Sequence, residues 1–376
     1  MKRFRVLTTG GGTAGHIYPI VAVVAELQTM ASEQQVSLEV RYLGAYGSFK
    51  GFLQENNIRV QRVANSKLRR HFNWQNFIDV PKFIWSIFQS LWKVYCFMPD
   101  VLFSKGGPGS LAVVLAARFY RIPVIVHESD ATPSITTRIT SKFANVVAVS
   151  FASSVGDFPN KEVIHTGNPI RKYLLTDPIS KEKGRGYFGF NPSEPLMLIL
   201  GGSQGSTSIN DFVLDILPDL VKSIQVLHQT GKEDYERVVR EAGVALEKLS
   251  EEMQVRYKAI DYFEKDIRIA YQGADLVISR AGASATCEIA AFGKPSILIP
   301  LPWAANDHQR ANAAEYQKLG AAIVMEQDNL LPHIFLNNVA GLLANPEKLV
   351  AMGEAAKGFY KSDAASNLAQ VILRYI

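Results

Sequence analysis

The first half of this 376-residue chain opens with the stretch FRVLTTGGGTAGH, residues 4–16. An apolar run is followed by three glycines, and a helical pattern then extends from Ile17 to Met30. Glycines between a strand and a helix let backbone N–H groups approach a phosphate or a sugar, and the helix N-terminus favours negative charge. The other interpretation is a tight turn that needs glycine for geometry alone. Either way, the stretch predicts the strand–loop–helix unit of a parallel sheet.

The same order returns twice along the chain. An apolar run precedes KGGPGS at 105–110, and the stretch PLMLILGGSQGS at 195–206 restarts the pattern. The first loop is neither a dinucleotide fingerprint nor a Walker A loop, because the glycine spacing differs and no Lys-Ser/Thr pair follows. Three such loops at matching places indicate a ligand site at the carboxyl ends of parallel strands.

Apolar runs alternate with helical patterns throughout, which predicts sheets covered by helices on both faces. We expect an α/β fold of two doubly wound, Rossmann-like domains facing a cleft. The boundary is expected at Gly167-Asn168-Pro169, giving domains over 1–167 and 168–357, and a last helix at about 358–376 fits either domain, with packing back on the first as one possibility. The strand candidates are Arg5–Thr8, Leu38–Leu43, Asp100–Phe103, Pro123–His127, Asn145–Val149, Pro195–Leu200, Ile224–His228, Asp275–Ser279, Ser296–Pro300 and Ala321–Met325.

Composition narrows the class of protein. Hydrophobic residues make up 47% of the chain and charged residues 20%, which is ordinary for a globular protein. The only cysteines, Cys96 and Cys287, are far apart, so a reducing compartment is favoured over a disulfide framework. We expect neither a signal peptide nor a membrane-spanning helix. The net charge of +5 weakly favours an anionic partner.

The stretch SRAGASATCEIAAFGKP, residues 279–295, carries the most specific pattern. Small residues open a helix at Gly282, whose unpaired N–H groups suit a diphosphate. Glu288 lies within that helix, where its carboxylate could accept both ribose hydroxyls; the alternative is a solvated helix residue. Gln309 lies at the next strand-to-helix junction and could bind sugar hydroxyls.

Together these motifs resemble the MurG family of peptidoglycan N-acetylglucosaminyltransferases, which have the GT-B fold. Two positions depart from the family pattern, since Asp130 stands where Asn is usual and Pro108 where Tyr is usual. Both departures lie on the acceptor side or the cleft side. The shared pieces are Gly11–His16, His127-Glu128, Gly167–Arg171, Gly201–Gly205, Gly282–Glu288, Asp307–Gln309 and Asn312-Ala313.

The resemblance implies that the C-terminal domain binds UDP-N-acetylglucosamine. Ser203 would contact the diphosphate, Glu288 the ribose, and Phe263 or a neighbour the uracil through its backbone. The implied donor-binding residues are Thr13, Ala14, Gly15, Asp130, Arg171, Ser203, Phe263, Ala283, Ser284, Ala285, Thr286, Glu288 and Gln309.

The resemblance also implies that the N-terminal domain binds a lipid-linked MurNAc-pentapeptide, with Gly106 and Gly107 on the acceptor side. His16 is the first candidate for the general base, because imidazole titrates near neutral pH; a helix cap or packing role is the alternative. Glu128 is the rival base or a residue that positions the acceptor, while His127 is interpreted as structural. The pair does not begin a zinc HExxH motif, because Ala131 occupies the second histidine's place.

The implied reaction is inverting transfer of N-acetylglucosamine to the 4-hydroxyl of MurNAc in lipid I. Neither a cofactor nor a metal is expected, because no Asp-x-Asp pair is present and helix N-termini can stabilise the diphosphate. Two alternatives stay open. One is another GT-B transferase or a nucleotide-sugar epimerase, and the other is a non-catalytic nucleotide-sugar-binding protein.

A basic, aromatic stretch runs from Arg59 to Lys93, with seven basic residues and one acid. Such a surface suits the headgroups of an anionic membrane, so we expect a peripheral protein at the cytoplasmic face of the cell membrane. The alternative is a core helix with Phe83, Trp85, Phe88 and Trp92 packed inward, and most of the apolar residues are expected to pack inward in either case. Nucleic-acid binding is not expected. The membrane candidates are Lys67, Arg69, Arg70, Trp74 and Trp85.

Overall fold

The computed structural model describes residues 2–64, 76–202 and 204–376. Their contacts divide the chain into two compact units. Unit 1 comprises Met1–Arg171 and Lys361–Ile376, and unit 2 comprises Lys172–Tyr360. The chain therefore passes from one unit to the other twice.

Strands and helices alternate along both units. The strands are β1 Arg3–Thr9, β2 Ser37–Leu43, β3 Arg59–Gln61, β4 Val101–Ser104, β5 Val124–Glu128, β6 Val146–Val149, β7 Glu162–His165, β8 Leu196–Leu200, β9 Gln225–Gln229, β10 Tyr257–Ile260, β11 Leu276–Ser279, β12 Ser296–Leu298 and β13 Ala322–Val324. The α-helices are α1 Ala14–Glu33, α2 Lys50–Glu55, α3 Asn76–Phe97, α4 Ser110–Phe119, α5 Ile135–Thr140, α6 Lys181–Tyr187, α7 Thr207–Leu220, α8 Tyr235–Leu246, α9 Glu251–Gln254, α10 Ile267–Gly273, α11 Ala283–Ala291, α12 His308–Lys318, α13 Pro332–Leu343, α14 Pro346–Phe359 and α15 Ala364–Leu373.

Unit 1 is built on a seven-stranded parallel sheet in the order β3-β2-β1-β4-β5-β6-β7. One face packs on α1 and α15, where Leu368 and Ile372 join a buried cluster with Ile17 and Leu27. The other face packs on α4 and the end of α3. The last helix, which the sequence allowed on either domain, thus completes the core of unit 1.

Unit 2 repeats the arrangement with a six-stranded parallel sheet in the order β10-β9-β8-β11-β12-β13. Buried side chains such as Leu198 and Ile278 fill clusters on the two faces. In each sheet the chain first adds strands on one side of its first strand and then on the other side. That first strand is β1 in unit 1 and β8 in unit 2, and each is followed by a glycine loop. This is the switch point where such sheets bind ligands.

The prediction of two doubly wound α/β domains is confirmed. Sequence patterns missed β3, β7 and β10, all of which lie at sheet edges and are only partly buried, so no continuous apolar run marks them. The polar stretch Lys181–Gly186, for which no helix was predicted, lies within helix α6.

Candidate active site

His16 lies in the first turn of α1, where two glycine loops enclose its ring. Its Nδ1 lies 2.8 Å from the Thr13 hydroxyl oxygen. A methyl group added at Gly107 would lie 2.7 Å from His16 Nε2, and one added at Gly11 would lie 2.9 Å from Nδ1. Gly107 also has a φ of +85°, which other residues rarely adopt. Glycine is therefore required here so that the backbone can approach the imidazole.

Burial and charge keep the His16 imidazole neutral. Loss of hydration, helped by the nearby positive charge of Lys105, lowers the pKa of His16 to about 4, while Asp130 opposes this shift. Lys105 is almost fully buried and donates from Nζ to the Ser129 hydroxyl at 2.7 Å. Because the ring is uncharged near pH 7, it can accept a proton.

Glu128 ends strand β5, and its carboxylate is buried. One oxygen accepts from the Asp130 backbone N–H at 3.1 Å and the other from the Ser134 N–H at 3.0 Å. Burial, reinforced by Asp130, raises the pKa of Glu128. Both oxygens thus hold the loop 129–134, which favours a positioning role over that of a base.

His127 has the structural contacts that the sequence suggested. Its Nε2 lies 3.1 Å from the Gly167 carbonyl oxygen and 3.3 Å from the Ser150 hydroxyl. Burial holds the pKa of His127 well below its usual range. Elsewhere in unit 1, the Arg171 guanidinium lies 4.0 Å from the centre of the Tyr18 ring on α1, so Arg171 belongs to the surroundings of the first helix.

In unit 2 the loop after β8 is fixed by neighbouring strands. Gln229 donates from Nε2 to the Gly202 carbonyl at 3.0 Å and accepts from the Phe263 N–H at 3.1 Å. Phe263 is buried and its N–H is occupied, so a uracil contact would have to use another backbone atom of this segment. Ser203 lies outside the described residues.

The helix start predicted at Gly282 is present, since Gly282 precedes α11 and supplies no side-chain cap. Within α11, the hydroxyl of Thr286 is buried without a hydrogen-bond partner among the described residues. The half-buried Glu288 accepts from the Tyr271 hydroxyl at 3.4 Å. Gln309 accepts from the Leu301 N–H at 3.0 Å, which fixes the loop before α12.

Lys105 in unit 1 and Arg280 in unit 2 are among the buried cations that were not singled out from the sequence. Arg280 is 7% exposed, and its guanidinium donates to five uncharged acceptors. Each cation follows a buried strand directly, β4 or β11. A Lys or Arg placed immediately after an apolar run is the signal that could have revealed both. The acceptors of Arg280 are the Ile299 and Pro300 carbonyls, the Ser206 and Ser208 hydroxyls and the Gln327 side chain.

Helix α3 exposes its aromatic residues. Trp85 and Phe88 are each 60% exposed and Trp92 is 67% exposed, so the expected inward packing was wrong for these three side chains. The helix instead turns Ser86 and Ser90 inward, because small side chains allow close packing. Of the other membrane candidates, Lys67, Arg69, Arg70 and Trp74 lie outside the described residues.

Two further findings concern the part of the chain that the structure describes. In it, no helix is both long enough and apolar enough to cross a membrane. Nor do three or more His, Cys, Asp or Glu side chains come together there as possible ligands of a metal ion.

Family models and relatives match nearly the whole chain. The Glycosyltransferase family 28 N-terminal domain matches residues 6–149, and the C-terminal domain of the same family matches residues 196–368. A protein from Clostridium kluyveri is 36% identical over 340 residues, covering 90% of this chain and 91% of its own length. One from Lachnoclostridium phytofermentans is 33% identical over 370 residues, covering 98% of both. Both are described as UDP-N-acetylglucosamine–N-acetylmuramyl-(pentapeptide) pyrophosphoryl-undecaprenol N-acetylglucosamine transferase.

Solved structures agree. The crystal structure of Acinetobacter baumannii MurG matches with a TM-score of 0.74 and 25% identity over 99% of both chains. A Neisseria meningitidis UDP-GlcNAc 2-epimerase matches with a TM-score of 0.68 but 16% identity, which shows the fold alone.

The chain is therefore a glycosyltransferase of family 28 with the GT-B type of fold. More narrowly, it belongs to the MurG family of N-acetylglucosamine transferases. The resemblance suggested by the sequence motifs is confirmed.

Proposed function

We propose that this chain transfers N-acetylglucosamine from UDP-N-acetylglucosamine to the 4-hydroxyl of MurNAc on a pyrophosphoryl-lipid-linked MurNAc-pentapeptide, giving lipid II for peptidoglycan synthesis. The observation that carries the proposal is the position of the His16 imidazole, held between two glycine loops. A half-buried, uncharged imidazole of this kind suits proton removal from a sugar hydroxyl. The relatives described as this transferase, matched along almost their whole length, support the choice of substrates.

His16 acts as the base in this proposal. When Nδ1–H donates to the Thr13 hydroxyl, Nε2 is left with its lone pair. The acceptor oxygen forms a bond to the anomeric carbon while the bond from that carbon to the UDP phosphate oxygen breaks. The hydroxyl proton moves to Nε2, and the electron pair leaves with UDP. One displacement inverts the anomeric centre, and Glu128 contributes by ordering the loop 129–134.

The donor site is assigned to unit 2. The uncapped start of α11 offers N–H groups to the diphosphate, and the partly buried Glu288 offers a carboxylate to the ribose. The Gln309 side chain binds hydroxyl groups of the transferred sugar in this proposal. No cofactor or metal ion is required in this proposal, because the N–H groups at a helix N-terminus stabilise the leaving diphosphate.

A transfer assay tests the substrates. Purified protein receives labelled UDP-N-acetylglucosamine and a short-chain lipid-linked MurNAc-pentapeptide, with EDTA present. Labelled disaccharide-lipid is the expected product. Donor binding without transfer to this acceptor would contradict the proposal, and formation of an epimerised UDP-sugar would favour an epimerase.

We further propose that the exposed face of α3 binds the cytoplasmic face of an anionic membrane. Trp85, Phe88 and Trp92 project from this face, and Lys82 lies on the same helix. Aromatic rings suit the headgroup region, and each basic residue near an anionic surface adds about 1 kcal/mol. Arg5 donates to the carbonyl of Phe97 at the end of the helix, which anchors α3 to the sheet.

Vesicle sedimentation tests this surface. The protein should sediment with phosphatidylglycerol vesicles at low salt, less at high salt, and little with phosphatidylcholine vesicles. The double variant Trp85→Ser/Trp92→Ser should lose binding. Trp303→Ser is the matched control, because Trp303 is 89% exposed but lies in unit 2. Equal losses in both variants would overturn the assignment of this face.

A further inference from the structure

The loop after β9 lies between two other loops at the carboxyl edge of the unit 2 sheet. On one side Gly231 donates its N–H to the Asp261 carbonyl at 3.0 Å. On the other side a methyl group added at Gly231 would lie 2.4 Å from the Gln204 carbonyl oxygen. The φ of Gly231 is +89°, which other residues rarely adopt. The loop after β9 is therefore held between the glycine loop 201–205 and the segment 260–263.

Gln229, which ends β9, joins the same two segments. Its side chain bonds to the Gly202 carbonyl in the glycine loop and to the Phe263 N–H. The donor site expected from the sequence assigns the diphosphate to the glycine loop and the uracil to the segment around Phe263. A nucleotide that contacts both segments has one phosphate between them, the phosphate attached to the nucleoside. This phosphate is expected beside the loop after β9.

Lys232 follows Gly231 directly and is an exposed cation in that loop. Its Nζ lies 5.8 Å from the centre of the Tyr262 ring, within the range of a cation–π interaction. Among the residues that the structure describes, no carboxylate forms a salt bridge with Lys232. The aromatic contact limits where the flexible side chain can lie but does not cancel its charge. Lys232 thus places a compact positive charge beside both segments.

We propose that the Lys232 ammonium binds the phosphate attached to the nucleoside of the donor, and that the Tyr262 ring positions this ammonium. The inference rests on the proposed donor site in unit 2. The bond that breaks during transfer joins the sugar to the other phosphate, so the charge near Lys232 changes little along the reaction. The lysine therefore stabilises the bound donor and the transition state alike. Its loss should raise the KM for the donor and leave kcat nearly unchanged.

The test is calorimetry on the full chain with UMP and UDP, and competition of uridine with UDP. Lys232→Met should weaken UMP and UDP binding by the same factor, about tenfold, because a hydrogen bond to a charged group contributes a free energy of this order. Uridine should compete equally well in both proteins, since it carries no phosphate. Lys232→Arg keeps the charge and should recover part of the affinity. The exposed Lys248→Met, beyond the end of α8, is the matched control and should bind all three ligands like the wild type.

Several results would overturn the inference. An unchanged UDP affinity in Lys232→Met would remove the lysine from the donor site. A loss for UDP but not for UMP would assign it to the other phosphate, and an equal loss for uridine would mean that the substitution disturbs the uracil segment. A lower kcat at an unchanged KM would also contradict it. A wild-type chain that transfers sugar but shows none of these effects in Lys232→Met refutes this inference alone, whereas a wild type that does not bind UDP refutes the proposed donor site.

A double-variant cycle tests the role of Tyr262. Tyr262→Leu should weaken UMP binding less than Lys232→Met does, because the ammonium remains but is held less well. Tyr262→Leu/Lys232→Met should bind UMP like Lys232→Met alone, since the ring acts only through the lysine. Additive losses in the double variant would mean that Tyr262 contributes independently of Lys232, and the positioning role would be wrong.

Discussion

Thr13 in unit 1 and Ser206 in unit 2 occupy equivalent places, each preceding the helix that follows a glycine loop. Neither hydroxyl caps its helix. The Thr13 oxygen forms a hydrogen bond with Nδ1 of His16 at 2.8 Å, whereas the Ser206 oxygen accepts a hydrogen bond from the guanidinium of Arg280 at 2.7 Å. In both units the backbone N–H groups at the helix start lack a side-chain cap and can meet a ligand.

The partners of these two hydroxyls differ, and the difference suggests proton transfer in unit 1 and donor binding in unit 2. Unit 1 places a neutral, titratable ring at the loop, with Glu128 and Lys105 nearby. Unit 2 places a permanent cation there and surrounds it with uncharged acceptors. A ring that changes protonation suits proton transfer, and a fixed cation suits an anionic ligand and a rigid loop. We therefore expect substitutions in unit 1 to affect turnover and substitutions in unit 2 to affect donor affinity.

The largest effect should come from His16→Ala. Removing a general base typically lowers the rate by about 10²- to 10⁴-fold, and we expect kcat to fall within this range. Binding of UDP-N-acetylglucosamine, measured by calorimetry, should change little, because the donor site is assigned to unit 2. If the variant kept most of its kcat, or lost donor binding instead, the assignment of turnover to unit 1 and donor binding to unit 2 would be wrong.

Arg280→Met should show the opposite profile. Its five uncharged acceptors would lose their donor, and a buried acceptor left without a hydrogen bond costs about 1–3 kcal/mol. We expect unit 2 to be less stable in urea and UDP to bind at least about tenfold more weakly, since 1.4 kcal/mol corresponds to tenfold. The exposed Arg240→Met is the control. If UDP affinity were unchanged in a folded Arg280→Met protein, Arg280 would have no part in donor binding.

Alternating apolar runs were enough to predict both sheets, because β1, β4 and β8 are buried on two faces. Motifs with a local signature, such as the loop before His16 and the helix start at Gly282, were also found correctly. What local sequence could not predict was the exposure of Trp85 and Trp92, since a helix of mixed composition can turn either face inward. The hydrogen-bond partners of Arg280 could not be predicted either, because they lie in segments distant in sequence, such as those of Ser206 and Gln327.

Two glycines with positive φ allow the two units to be compared through their backbones. Gly107 has a φ of +85° and faces His16, whereas Gly205 has a φ of +81° and faces the Thr230 carbonyl, 2.2 Å from where a methyl would lie. Alanine at either position should cost about 1–3 kcal/mol of strain. Gly107→Ala should lower kcat, and Gly205→Ala should weaken UDP binding. The control is Gly243→Ala, whose methyl would meet nothing within 4 Å. A uniform loss of both properties in both variants would mean that the alanines only destabilise the chain.

The smallest effect concerns the buried histidine of unit 2. His228 lies between the Tyr257 hydroxyl, 3.0 Å from Nδ1, and the Asn210 side chain, 3.1 Å from Nε2. Unlike the ring of His16, it has both nitrogens engaged by neutral groups, which indicates a purely structural role. Burial lowers the pKa of His228 to about 3, despite the opposing charge of Asp234.

Below about pH 6.5 the unfolded chain gains a proton at His228 that the folded chain does not take up until about pH 3. Stability should therefore fall as the pH drops through this window, by about 2 kcal/mol from this residue alone between pH 7 and pH 5. His228→Gln should be less stable at pH 7 but should lose less on acidification, as measured by urea unfolding followed by circular dichroism. The exposed His333→Gln should keep the wild-type slope. Equal slopes in all three proteins would mean that His228 takes up its proton in the folded state, and the contrast with His16 would then lose its physical basis.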